Sequence, residues 1–254
     1  MNLDVFIISF VQGIGELLPI SSSVNMFIVH RLFHTNFFNF SFDIALHTGS
    51  LLALILYFRR EILDIFKSIF TKKKAIRDTY LLQLIAGTIP VIILGFLSRN
   101  YVKEFNSKAV MGCFCILFGV LLFAFDKLSV SHKKSESVSV TKAFIIGIFQ
   151  SIAIFPGISR LGVCITASRM LSLNRHNAIF FSLFLAIPSI LGSLCLELFE
   201  SGNIFVSAIS MKGVIITFII SAVIIIPCVK FMEKRGFLAI TIYRCIIGVL
   251  LFFL

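Results

Sequence analysis

Val11–Ser23 reads VQGIGELLPISSS, and Phe149–Gly162 reads FQSIAIFPGISRLG. The two stretches share one design. Each starts from a Gln, runs through small and aliphatic residues, breaks at a Pro and ends in serine. The first holds a single carboxylate, Glu16; the second holds a single guanidinium, Arg160. Both charges lie deep in apolar sequence, where an ionisable side chain is costly and marks a functional site by default. The alternative role, a buried ion pair that only fixes register, is compatible with a functional one.

The surrounding sequence is that of a membrane protein. Apolar residues make up 58% of the chain and the mean hydropathy is +1.04, whereas soluble domains are nearer half apolar and a quarter charged. Thr79–Ser98, Ala109–Phe125, Asn177–Leu196 and Gly213–Val229 contain no charge. As helices, each is about long enough to cross a hydrocarbon layer of roughly 30 Å. The runs are continuous rather than alternating, which excludes a β-barrel. The first apolar stretch lacks a basic leader and a small-residue cleavage site, so it does not read as a secretory signal. The net charge of +11 sits mostly in loops, where it orients the chain and meets anionic headgroups; nucleic acid is not the expected partner. The six cysteines all fall in apolar segments without zinc-site spacing and read as small core or lipid-facing side chains.

Six segments are expected to span: about 42–58, 80–98, 109–125, 179–198, 213–229 and 237–254. The two motif segments differ from these. Backbone broken by Pro, Gly and Ser is tolerated at membrane depth only where protein or a water-filled cavity surrounds it. We therefore expect two re-entrant helical hairpins, about 4–30 and 142–169, in preference to two kinked spanning helices. A Ser- and Lys-rich linker, residues 127–141, separates halves 1–126 and 142–254 of a single membrane domain. Aligning Gln12 with Gln150 pairs Ile14 with Ile152, Ile20 with Ile158, Ser21 with Ser159 and Phe42 with Phe180. Three spans between the hairpins invert the second half, so the fold class is an all-α polytopic membrane protein with an inverted-topology repeat. The broken tips then meet near the midplane, where such folds place their sites. Arg59, Arg60, Lys67, Lys127, Arg169, Arg175, Lys230 and Lys234 cluster on one side, which is the cytoplasmic one. The mouth of the Glu16 hairpin faces outward.

Gln12 and Glu16 are four residues apart and share a helix face. Ser21, Ser22 and Ser23 offer hydroxyls and N–H groups at the start of a helix, a ready anion site. Arg160 opens a second helix in the same way, and Arg suits bidentate phosphate contact. Each serine alone is equally accounted for by helix capping. His47 lies in a span four residues after Asp43, which makes these two an expected pair. Arg244 either points inward or snorkels to headgroups. Glu197, Glu200, His30, His34, His132 and His176 read as edge or linker residues. No GxxxxGK[ST], HExxH or GxSxG motif is present.

QGIGELLPISSS, FDIALHTGSLLALILYFRR, PGISRLG and the late IYR resemble the undecaprenyl-diphosphatase family, also called bacitracin-resistance proteins, in order and over nearly the whole chain. The resemblance implies an inner-membrane phosphatase with an outward-facing site. Its substrate would be a C55 polyprenyl diphosphate, cleaved to the monophosphate to recycle the lipid carrier of cell-wall synthesis. By position, Glu16 matches the second Glu of the family's E-G-x-x-E element, Ser21 and Ser22 its paired serines, and Ser159, Arg160 and Gly162 its P-G-x-S-R-S-G element. His47 falls where members carry Gln or His. The chain departs at Gln12 for the first Glu, Asn25 for the His after the serines, Leu161 for the second Ser and Cys164 for a Thr.

The resemblance assigns Glu16, Ser22 and Arg160 to catalysis, and Ser21, Ser159, Gly162, Gln12, Asn25 and His47 to substrate binding. Glu16 is also the expected ligand of a Mg²⁺ or Ca²⁺ ion. Ser22 is the candidate nucleophile, with Ser21 or a water as its competitor. Because Gln12 and Asn25 replace an acid and a base, a carrier that binds or moves polyprenyl phosphate without hydrolysis is the alternative. A homodimer is the expected assembly.

Overall fold

The computed structural model describes residues 3–33, 40–71, 74–102, 105, 107–129, 138–201 and 208–254. Among them the chain is entirely helical, with no strand: α1 (Leu3–Gly15), α2 (Ser22–Phe33), α3 (Phe40–Tyr57), α4 (Arg59–Thr71), α5 (Lys74–Val102), α6 (Lys108–Leu128), α7 (Val140–Ile152), α8 (Arg160–Met170), α9 (Arg175–Ser201), α10 (Ala208–Arg235) and α11 (Leu238–Phe253). The middle of the expected linker, residues 130–137 with His132, lies outside the described residues, as do His34 and some loop lysines of 72–73 and 103–104.

Among the described residues four helices are long and apolar enough to cross a membrane: Tyr80–Ser98 in α5, Lys108–Leu128, Arg175–Phe199 in α9 and Ser210–Arg235 in α10. The expected span at 42–58 ends in a 68° bend into α4, and the two together make a fifth. The sixth, α11, has 16 residues, about 24 Å of helix and slightly less than the hydrocarbon thickness. α4 is not among the expected elements, because charges at Arg59, Arg60, Glu61, Asp64 and Lys67 hide its helical apolar stripe. Outward faces of α5 (Ile89, Ile92, Phe96) and α10 (Ile215, Ile219, Val223) are exposed and apolar, a surface suited to lipid rather than water.

α1 and α7 have 13 residues each, about 20 Å, too short to span alone. Each is followed by a break and a short partner, and α1 packs on α2 as α7 packs on α8. Pairing across the halves is reciprocal. α1 lies on α10 and α7 on α5, while α3 meets α9 and α6 meets α11.

Lipid offers no hydrophobic force between helices, so close approach over small residues takes its place. Gly49 of α3 faces the Val214 carbonyl of α10, and Gly112 of α6 faces the Gly248 carbonyl of α11; added Cβ atoms would come within 2.5 Å and 2.6 Å of those oxygens. A Cβ on Gly147 of α7 would collide with the Gly87 backbone of α5. We expect Gly147→Val to lower stability by about 1–3 kcal/mol, the cost of overpacking. Circular dichroism during SDS titration of detergent-solubilised protein measures this; an unchanged midpoint would contradict the close packing.

Several charges that read as loop residues are tied into the fold. Asp126, at the end of α6, receives Arg175 Nε at 2.9 Å and Nη2 at 2.7 Å, with Arg169 Nε 3.1 Å away. Arg169 also donates to the Leu173 carbonyl at 2.6 Å and the Asp126 carbonyl at 3.0 Å. His176 Nδ1 lies 2.7 Å from Glu233. Glu197, which reads as an edge residue, is buried. These contacts fasten α6, α9 and α10 at one end of the bundle.

Candidate active site

The two breaks are built alike. After Pro19 the chain turns at Ser21, with φ +66°; after Pro156 it turns at Gly157, with φ +94°. Both angles are left-handed, which is easy for Gly and costs about 1–2 kcal/mol for Ser. A Cβ on Gly157 would also come within 2.5 Å of the Met111 carbonyl. Ser21 is held in place by its neighbour: Asn25 Nδ2 donates to the Ser21 carbonyl at 2.9 Å and the Ile20 carbonyl at 3.1 Å. Tyr243 in turn donates its hydroxyl to Asn25 Oδ1.

Arg244, the next residue on α11, joins the two breaks. It is fully buried. Nη1 donates to the Pro19 carbonyl at 3.0 Å, Nη2 to the Gly157 carbonyl at 3.2 Å, and Nε to the Cys115 carbonyl of α6 at 3.0 Å. The inward of the two orientations open to this residue is the one realised. Broken backbone leaves carbonyls without helical partners; the buried guanidinium with its fan of N–H groups satisfies those of Pro19 and Gly157 and adds a bond to the Cys115 carbonyl within α6.

α2 and α8 start directly after the breaks. Their N-termini carry free N–H groups and the positive end of the helix dipole. Ser159 caps α8, its Oγ accepting from Gly162 N–H at 3.1 Å. Leu161 through Arg169 are all buried, so this non-spanning helix is wrapped in protein, as irregular membrane backbone requires.

Glu16 sits between the breaks, buried. Its Oε1 receives Arg160 Nη2 from a position 144 residues away. Its Oε2 receives Gln12 Nε2 at 3.2 Å and the Ser22 hydroxyl at 3.4 Å, and His47 Nδ1 is 3.1 Å away. Gln12 Nε2 also stands 2.9 Å from His47 Nδ1. A cavity of about 290 Å³ opens beside this cluster, lined by Glu16, Ser21, Ser22, His47, Ser159 and Arg160 together with Ser193 and Leu194 of α9. Ile158, Ile190 and Leu194 give it apolar walls next to the charged floor.

The structure thus brings Glu16, Ser21, Ser22, His47, Ser159 and Arg160 to one cavity; Gln12 does not line it but stands behind Glu16 and His47. Asn25 and Gly162 do not line it. Asn25 caps the first break, and Gly162 packs under Pro19 and Arg244. His47 does not pair with Asp43; His30 takes Asp43 instead, at 3.1 Å. Gln150, which aligns with Gln12 in the sequence, lies outside the cavity. It donates to the Gly87 carbonyl at 3.3 Å and accepts from Ser189 at 3.1 Å, tying α7 to α5 and α9. The Tyr243–Arg244 pair has a sequence signal, a charge inside an apolar helix, but its two targets lie more than eighty residues away.

Comparison with known proteins adds to this geometry. The family model described as bacitracin resistance protein BacA matches residues 5–250. An undecaprenyl-diphosphatase of Pelagibacter ubique (strain HTCC1062) is 34% identical over 255 residues, covering 98% of this chain and 96% of the relative. An undecaprenyl-diphosphatase of Saccharophagus degradans (strain 2-40 / ATCC 43961 / DSM 17024) is 34% identical over 257 residues, covering 98% and 97%. With the match running through both breaks and every helix between them, the chain belongs to the BacA bacitracin resistance protein family.

Proposed function

We propose that this protein is an integral-membrane phosphatase that cleaves the terminal phosphate from undecaprenyl diphosphate and so returns the lipid carrier used in cell-wall synthesis. One observation carries the reading. Ser22 from the first break and Arg160 from the second meet on the two oxygens of one carboxylate, Glu16, beside a cavity with apolar walls. The relatives named undecaprenyl-diphosphatase supply the substrate.

Phosphoryl transfer demands positioning and neutralisation of the equatorial oxygens. Arg160 and the N–H groups opening α2 and α8 supply positive potential at the cavity. Ser22 Oγ attacks the terminal phosphorus, and its proton passes to Glu16 Oε2. The anhydride P–O bond breaks, with undecaprenyl monophosphate as leaving group. Water then hydrolyses the phosphoserine to inorganic phosphate. Ser22 is preferred to Ser21 because its hydroxyl points at the carboxylate, while Ser21 Oγ faces Ser23 Oγ at 3.2 Å.

For a divalent ion the protein offers one carboxylate, already held by Arg160; among the described residues no group of three or more His, Cys, Asp or Glu surrounds it. That donor set suits Mg²⁺ or Ca²⁺ arriving on the diphosphate, with Glu16 as its protein ligand. Such an ion would neutralise phosphate charge.

The reciprocal helix pairing supports an inverted-topology repeat with halves 1–126 and 142–254, and the basic loops support an inner-membrane protein whose cavity faces the periplasm or exterior. The mass of the detergent-solubilised protein tests the expected homodimer. The non-hydrolysing carrier rests on Gln12 and Asn25, and neither change removes Glu16, Ser22 or Arg160. Purified protein is expected to release phosphate from farnesyl (C15) or undecaprenyl diphosphate, and Ser22→Ala to reduce release by at least about 100-fold. No release by the unaltered protein across pH and with Mg²⁺ or Ca²⁺ would overturn the proposal.

A further inference from the structure

We propose that Tyr243 is a positioning residue for phosphate release: through Asn25 it holds the Ser21 turn in the conformation that aims the Ser22 hydroxyl at Glu16. This rests on the phosphatase reading of the cavity.

Three consecutive carbonyls precede Ser22, those of Pro19, Ile20 and Ser21, and two neighbouring residues of α11 account for all three. Arg244 donates to Pro19 directly, at 3.0 Å. Tyr243 reaches the other two through one intermediary. Asn25 Nδ2 donates to the Ser21 carbonyl at 2.9 Å and to the Ile20 carbonyl at 3.1 Å. A carbonyl only accepts, so both contacts need the NH₂ end of the amide, and Oδ1 is the end left over. There it accepts the Tyr243 hydroxyl. With both ends occupied, the buried Asn25 side chain has one orientation.

The brace falls on the break that needs it. Gly157 turns at φ +94°, which glycine adopts freely. Ser21 holds φ +66° with a side chain, and such a residue stays there only where its surroundings over-determine it. The next residue is the candidate nucleophile. Ser22 Oγ lies 3.4 Å from Glu16 Oε2, a long contact of the kind that tightens once substrate is bound. Rotation of the Ser21 backbone would carry that hydroxyl off the carboxylate. Ser22 also packs tightly on α1: a Cβ added to Gly15 would stand 3.2 Å from its Cα and Cβ.

Tyr243 itself does not line the cavity. Its ring, like Ile242 and Ile246, is exposed on α11, where lipid offers a hydroxyl no water to bond. The chain has 30 Phe and 4 Tyr, and Phe would fill this place equally well. The hydroxyl is what differs, and its bond to Asn25 is what it adds.

The test compares turnover with binding in purified, detergent-solubilised protein. Phosphate release from farnesyl diphosphate gives kcat. Calorimetry with the non-hydrolysable farnesyl methylenediphosphonate gives Kd and the fraction of chains that bind. Tyr243→Phe is expected to lower kcat by about 10-fold to 100-fold, the order for a misplaced reacting group. Kd should stay within about threefold and the binding fraction unchanged, because Arg160 still holds the phosphate. Asn25→Ala should behave alike, and Tyr243→Phe added to it should alter kcat by less than about threefold, since both changes cut one chain of contacts. An unchanged kcat in Tyr243→Phe would overturn the inference. So would a fall matched by lost binding sites, which marks a purely structural contact, or a Kd raised as far as kcat is lowered. Losses that multiply in the double variant would separate Tyr243 from Asn25 and overturn it too. If Asn25→Ala does not fold, the split between kcat and Kd in Tyr243→Phe decides alone. No release by the unaltered protein would overturn the phosphatase reading and this inference with it; release that Tyr243→Phe leaves intact would overturn this inference only.

Discussion

Arg160→Ala will reduce phosphate release from a polyprenyl diphosphate by about 10³-fold or more, the order seen when a guanidinium or an oxyanion donor is removed from a charged transition state. Arg160 is 22% exposed at the cavity and bound to the buried Glu16. It is therefore poised to exchange its carboxylate for phosphate oxygens. Breaking a buried ion pair also strands the partner charge, at about 3–5 kcal/mol when it is fully enclosed, so loss of fold is the competing explanation. The double variant Glu16→Gln with Arg160→Met separates the two. With both charges gone the protein should melt close to the unaltered chain and still release no phosphate. Arg160→Lys should recover only part of the rate, since a point charge does not reproduce a bidentate fork. Appreciable turnover by Arg160→Ala would show that the phosphate is bound elsewhere.

Arg244→Met should destabilise the protein more than any other single change considered, by about 4 kcal/mol or more. Its three donors satisfy carbonyls on three separate segments. A hydrogen bond from a charged donor contributes about 1.5–3 kcal/mol, and each abandoned buried carbonyl adds its own desolvation cost. Effects above about 4 kcal/mol come from a few mechanisms, of which losing a buried network is one. Lysine at this site has one ammonium and cannot serve Cys115, Pro19 and Gly157 together, so Arg244→Lys should also lose stability, by about 2 kcal/mol. The functional consequence is distinct from that of Arg160. With the Pro19 and Gly157 turns uncoupled, Glu16 and Arg160 lose their common frame, and activity falls together with the melting temperature. Thermal melts and phosphate release on the same samples measure both. An Arg244→Met protein that melts normally would refute the clasp.

The apolar pattern, the positions of both breaks and the meeting of Glu16 with Arg160 were legible in the chain. These depend on burial and on backbone chemistry that each residue carries locally: proline ends a helix, glycine and serine follow it, and an ion in apolar surroundings needs a partner. Spacing along one helix does not determine partners. Asp43 and His47 share a face of α3, yet α2 brings His30 to Asp43 and α1 brings Gln12 to His47. Asp126, Arg169 and Arg175 carried no local mark beyond their charge. Gln12 and Gln150 align in the sequence, and packing sends one to Glu16 and His47 and the other to a helix seam.

Sequence alone could set which segments cross, which break and which charges must be satisfied, because those follow from free energies of transfer and of dihedral choice at each residue. Only the folded arrangement could say that Arg244 holds both turns and that Asn25 braces Ser21. Those outcomes depend on distances between segments up to some 225 positions apart, and close packing between helices, not any local preference, fixes such distances.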